Sequence, residues 1–147
     1  MTPEEERQLA VDLFNRGWTL METDERTTEQ DDELINTAHA SAYHWTQVGT
    51  PANRARSEWQ LSRVYVVLER VEPALHHARR CQEICEAHPE AMEDWDLPYA
   101  HEALARAHAL AGDVDEAGWH AATARELAAG VAGARDREHL EEDLATL

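Results

Sequence analysis

Apolar side chains recur along this chain every three to four positions, the spacing that gathers them on one stripe of an α-helix, and no stretch alternates as a half-buried strand does. Leu34, Ile35, Ala38, Ala42 and Trp45 form one such stripe. A later segment carries Ala55, Trp59, Ser62 and Val66 on one face, with Leu61, Tyr65 and Leu68 beside it. That face is too wide for a helix covered from one side only, so this helix is expected to be sandwiched. In the last segment, Leu140, Leu144 and Leu147 fall on one apolar side.

Polar punctuation divides the pattern into seven predicted helices. Thr2-Pro3-Glu4-Glu5 supplies a cap, a proline for the first helical position and a capping-box glutamate, so the first helix runs from there to about Glu22. A polar stretch, Thr23 to Glu29, separates it from a second helix that ends at Gly49, and Thr50-Pro51 starts a third that reaches about Arg70. Pro73 opens the fourth and Pro89 closes it; a linker with Asp94 and Asp96 leads to the fifth, ending at Gly112 with a left-handed cap. Asp113 and Glu116 cap the sixth, and after Gly130 and Gly133 the seventh covers residues 134–147.

The chain also repeats itself. A shift of 43 residues aligns Leu61-Ser62-Arg63 with Leu104-Ala105-Arg106, Val71 with Val114, Ala74 with Ala117, His77-Ala78 with His120-Ala121, and Glu83 with Glu126. The repeating unit is one helical hairpin. Its small residues Ala74, Ala78, Ala117 and Ala121 let neighbouring helices approach closely.

At Leu104-Ala105, His108, Gly112-Asp113, Ala117, Ala121 and Ala124, the pattern resembles the tetratricopeptide-repeat family. The earlier copy, Leu61-Ser62, Tyr65, Ala74, Ala78 and Cys81, keeps the spacing but has Glu69 at the turn glycine, and the first pair, Leu9 to Gly49, fits only loosely. The period exceeds the 34 residues of that family, which places the extra residues in linkers such as Met92 to Asp96. The resemblance implies an all-α fold of three antiparallel helix pairs and a closing helix, stacked as a right-handed superhelix. It also implies that the first helix of each pair lines a concave groove, which puts Arg56, Trp59 and Arg63, then Tyr99, Glu102 and Arg106, toward a bound protein or peptide segment.

Composition narrows the partners. A length of 147 residues suits one domain. Thirty acidic against thirteen basic residues give a net charge of -17, which argues against nucleic acid or an anionic membrane as partner. Every basic residue is Arg, so any anion site must be built from guanidinium groups. No apolar run approaches the roughly 20 residues of a membrane span, and Met1-Thr2-Pro3-Glu4-Glu5-Glu6 is acidic where a secretory leader is basic then apolar, so a cytoplasmic location is expected. Cys81 and Cys85, four apart on one helix, are too far apart for a disulfide and should be free thiols filling small core positions.

Two kinds of chemistry are open at this level. Arg63 and Arg106 occupy the same place in successive hairpins, so they either grip carboxylates of an acidic segment or form internal bridges with Glu58 and Glu102. Nine histidines form a high load of the commonest metal ligand, and His39, His44, Glu58, His77 and His101, with Glu102, lie on four helices that should be neighbours. His101-Glu102 opens like a zincin helix, but Ala105 stands where the second histidine belongs. Glu58 and His101 replace an aromatic preferred by the resembled family, and a carboxylate in that place needs a histidine or arginine partner. No phosphate loop or nucleophile elbow is present. Of the five tryptophans, Trp45 reads as core and Trp59 as a partner contact, the others as core anchors. The leading expectation is a non-enzymatic, cofactor-free module that holds a protein or peptide, acidic in one version. The alternative is a small His/Glu-ligated helical protein holding a transition metal, as a metal-binding protein or a metal-dependent enzyme, and a third is a homo-oligomer paired through Leu140 and Leu144.

Overall fold

The computed structural model describes all residues, 1–147, as seven α-helices with no strand. They are α1 (Pro3–Met21), α2 (Thr28–Val48), α3 (Pro51–Val67), α4 (Val71–Ala87), α5 (Asp96–Leu110), α6 (Val114–Ala128) and α7 (Ala134–Leu144), with a 3-10 turn at Pro89–Ala91. Each helix packs against its neighbour in sequence, α1 on α2, α3 on α4 and α5 on α6 forming three antiparallel hairpins that α7 closes. No helix is long and apolar enough to cross a membrane.

Capping chemistry sets the boundaries. Thr2 accepts from the Glu5 amide at 3.1 Å, and Thr27 with Gln30 and Thr50 with Asn53 each form a reciprocal capping box. Arg26 does for the end of α1 what no glycine does there. Its Nη1 donates to the carbonyls of Met21 and Thr23, both at 3.2 Å, while Nε holds Asp31 at 2.8 Å.

The 43-residue copy extends to the turns. Arg70 N donates to Tyr65 O at 2.8 Å and Asp113 N to His108 O at 3.0 Å, the long bond of a Schellman ending in both hairpins. Gly112 takes the left-handed conformation there with φ 80°, and its counterpart Glu69 takes it too, with φ 59° and a β-carbon that disfavours it.

The core is continuous from hairpin to hairpin. Leu20, Leu34 and Ala38 meet Leu61 and Val64; Tyr65, Ala74 and Ala78 meet Ala103, Leu104 and Ala107; Ala55, Cys81, Ile84 and Cys85 meet Ala100. α3 touches α1, α2, α4 and α5, the sandwiched position its wide apolar face called for. Buried polar groups tie the layers: Ser41 Oγ donates to Ala10 O, Gln60 Nε2 to Phe14 O and Ser62 Oγ to Ala74 O, each at 2.8 Å. Gly17 keeps α1 close to α3, because a β-carbon there would stand 3.1 Å from Gln60 Nε2.

Two expectations change. Leu140 and Leu144 are buried against Ala124, Ala128 and Val131 of their own chain, so the apolar side of α7 that was to pair with a second copy is already covered. Among the tryptophans only Trp45 is buried; Trp18, Trp59 and Trp95 are half-buried and Trp119 is 59% exposed. The reason is geometric: three of them stand on groove-facing turns, where no further helix layer covers them.

Candidate functional site

A groove of about 790 Å³ is walled by α1, α3, α5 and α7. Its aromatic lining follows from helix register. Phe14 and Trp18 are four apart on α1, Trp59 projects from α3, and Trp95 and Tyr99 are four apart at the start of α5, so rings from three hairpins meet. Trp59 lies 5.4 Å from Trp18 and 5.4 Å from Tyr99, which in turn stands edge-on to Trp95 at 6.4 Å. The lining also includes Arg56, Arg63, Arg135 and His139, against Glu22, Asp96, Asp136 and Asp143.

Below the aromatic layer, Glu102 acts as a hub. It is fully buried, and its carboxylate accepts from Trp59 Nε1 at 3.1 Å, Arg63 Nη1 at 3.2 Å and Arg106 Nε at 2.8 Å. Burial draws the Arg63 pKa down while Glu102 opposes it, and the guanidinium stays charged. Arg106 continues to Asp143 O at 3.2 Å and Thr146 Oγ1 at 2.7 Å, fastening the end of α7 to α5. Asp96, also buried, receives Arg56 as a bidentate pair at 3.0 and 2.9 Å, and the same guanidinium lies 4.4 Å from the Trp95 ring. Burial and a 2.7 Å bond to Asp143 hold the Tyr99 phenol well above its ordinary range, so it is a neutral donor.

Of the six residues assigned to a partner, then, Arg56, Trp59, Arg63 and Tyr99 line the groove, while Glu102 and Arg106 lie beneath it. Arg63 and Arg106 both bond Glu102; Glu58 takes a different partner. Arg135, exposed on α7, lines the groove without an internal ion pair. The contributions of α1 and α7 escaped the sequence reading, which followed only α3 and α5. The signal for α7 was there: Arg135, His139 and Asp143 recur every four residues on the face flanking Leu140 and Leu144.

The five residues grouped as metal candidates are distributed over three places. His77 Nδ1 meets Glu58 Oε2 at 2.6 Å, and its ring stacks on Tyr65 at 5.8 Å, whose hydroxyl pairs with His39 Nε2 at 2.8 Å. His44 stands apart, bonded to Glu6 at 2.8 Å. His101 faces His120, their Nδ1 atoms 3.0 Å apart. Desolvation first, then His101 and His108, push the His120 pKa down to about 4, and desolvation lowers that of His101. Cys81 and Cys85 are buried free thiols, and their mutual contact together with burial holds Cys81 well above its usual pKa, so it is no thiolate at neutral pH.

No protein-family model, curated protein or solved structure matches the chain.

Proposed function

We propose that this chain is a divergent, tetratricopeptide-like interaction module that seats a short segment of a partner protein in the groove between α1, α3, α5 and α7. The observation that carries the reading is the run of half-buried rings, Trp18, Trp59, Tyr99 and Trp95, on a wall where Arg56, Asp96 and the Trp59 N–H are bonded internally. Rigid aromatic side chains with little rotamer entropy left to lose are what anchors of a partner use. The 43-residue copy and the shared Schellman turns support the repeat assignment, and a repeat of this kind offers the faces of its inner helices to a ligand.

Charge refines the occupant. Three arginines against four carboxylates line the groove, a near balance in a protein of net charge -17. Arg56 and Arg63 are committed to Asp96 and Glu102, which leaves Arg135 to meet a partner's carboxylate. The segment is therefore one with an apolar or aromatic anchor and a single acidic side chain near it, rather than a uniformly acidic peptide.

Selection of displayed random peptides on the immobilised protein tests this. Enriched peptides should share an aromatic or large aliphatic residue, weaken about tenfold or more on Trp18→Ala, and weaken less on Arg135→Glu. Peptides that bind Trp18→Ala as well as the parent, or no enrichment at all, would remove the groove from consideration.

A further inference from the structure

The two copied hairpins hold the same polar geometry with different chemistry. In the first, Glu58 meets His77 at 2.6 Å and Tyr65 stacks on the His77 ring at 5.8 Å and 7°. Forty-three residues on, His101 meets His120 at 3.0 Å and His108 stacks on the His120 ring at 5.6 Å and 6°. The backbone arrangement is retained, but Glu58, Tyr65 and Pro73 have become His101, His108 and Glu116. Where the first hairpin has the Tyr65 ring and Pro73, the second has His108 and Glu116, two side chains able to ligate a metal beside His120.

We propose that His108, Glu116 and His120 form a binding site for one divalent transition-metal ion of the zinc class. Each offers one ligand atom, and the three lie within 4.8 Å of one another, the only trio of His, Cys, Asp or Glu in the molecule that does. Glu116 and His120 are one turn apart on α6, the i,i+4 spacing that directs two side chains to one point, and His108 comes from the last turn of α5. Glu116 Oε2 stands 3.7 Å from His120 Nε2. Ligands of a tetrahedral zinc ion stand about 3.3 Å apart, given bonds of about 2.0–2.1 Å. Bringing all three atoms from within 4.8 Å to that spacing takes a rotation of the exposed Glu116 and a turn of the His108 ring out of its parallel alignment with His120.

The surroundings orient both rings. His120 Nδ1 faces His101 Nδ1 at 3.0 Å, so a proton held between them leaves Nε2 as the ligand atom on the Glu116 side. His108 Nδ1 faces Asp113 Oδ2 at 3.5 Å, and the other oxygen of Asp113 caps α6 by accepting from the Glu116 amide at 3.3 Å. A carboxylate or imidazole behind each ligating histidine is the arrangement that fixes tautomer and ring angle at protein metal sites. Two nitrogens and one oxygen suit zinc and leave a position for water or a small ligand. None of these residues lines the groove, so the site is independent of the docking reading.

Calorimetric titration of Zn²⁺ alone into tag-free, chelator-stripped protein decides the matter, with Co²⁺ absorption as a spectroscopic check. One ion per chain should bind, with visible d–d bands of a low-coordinate N/O site. Glu116→Gln should lower the affinity about tenfold or more while its melting temperature in chelator stays that of the parent, and His101→Asn should lower it by about 10–100-fold as a positioning change. His77→Asn should leave binding as it was. Absence of Zn²⁺ binding, binding indifferent to Glu116→Gln, or binding abolished by His77→Asn would each overturn the assignment.

Discussion

Glu102 sits beneath the groove floor with its carboxylate out of reach of water, and three donors from two helices close on it. Removing it takes the only carboxylate from two guanidinium groups and the acceptor from an indole N–H at once. Glu102→Ala should therefore cost about 3–5 kcal/mol in urea unfolding, as breaking a buried pair does, and a loss below about 1 kcal/mol would mean that water takes over its role. The buried histidines give a pH signature of definite sign. His120 titrates at about 4 in the folded chain, against the ordinary value of about 6.5 when unfolded, and His101 is shifted the same way. Between those values the unfolded chain binds more protons, so stability present above about pH 6.5 is lost as pH falls toward 4. The groups facing His120 are His101, His108 and Glu116. In chelator, the urea midpoint should drop between pH 7 and 4.5 by the equivalent of roughly 1–3 kcal/mol, and His120→Asn should flatten that slope. Residue types alone gave no access to the histidine effect and left the arginine bridges as one of two readings. Glu102 stood both as a groove residue and, with Glu58, as an internal partner for Arg63 and Arg106, and only its placement on the inward turn of α5 reveals that it alone serves both arginines.

Helices were the most legible elements because their ends are written in short-range chemistry. Thr2, Thr50-Pro51, Asp113 and Gly112 each act within one turn of themselves, and each does in the fold what its type and position imply. Where a boundary depends on a distant group the signal fades: nothing about Arg26 in sequence announces that it caps α1 through three residues' worth of loop. The two Schellman turns offer a direct comparison of elements. Glu69 holds a left-handed φ of 59° where its copy has Gly112, so Glu69→Gly should stabilise the chain by about 1 kcal/mol, a rise in melting temperature of about 2–4 °C. Gly112→Ala should lose a similar amount. If both substitutions are neutral by thermal melting, the turns are not left-handed in solution.

At the scale of the molecule, a 43-residue copy was visible as matched small residues, and it fixed which helices pair; how the pairs curve around a groove was not visible. The wall of that groove includes α1 from the loosely matching first pair and α7 from outside the repeat, and register within a hairpin says nothing about either. The histidines illustrate the same limit. His77 and His120 were aligned from sequence, but that one belongs to an ion-paired chain and the other to a ligand trio depends on partners nineteen or fewer residues away across a turn. Stacking three hairpins and closing the last with α7 yields two separate chemistries, an aromatic groove and, between α5 and α6, a His-Glu-His cluster. The groove carries the functional reading, and the five indole N–H signals of this protein report on it without any substitution. In a proton–nitrogen spectrum titrated with the tightest peptide selected on the protein, the indoles of Trp18, Trp59 and Trp95 should shift together while Trp45, buried, and Trp119, exposed on α6, stay in place. Shifts confined to Trp119 or Trp45, with the three groove indoles unmoved, would contradict the account.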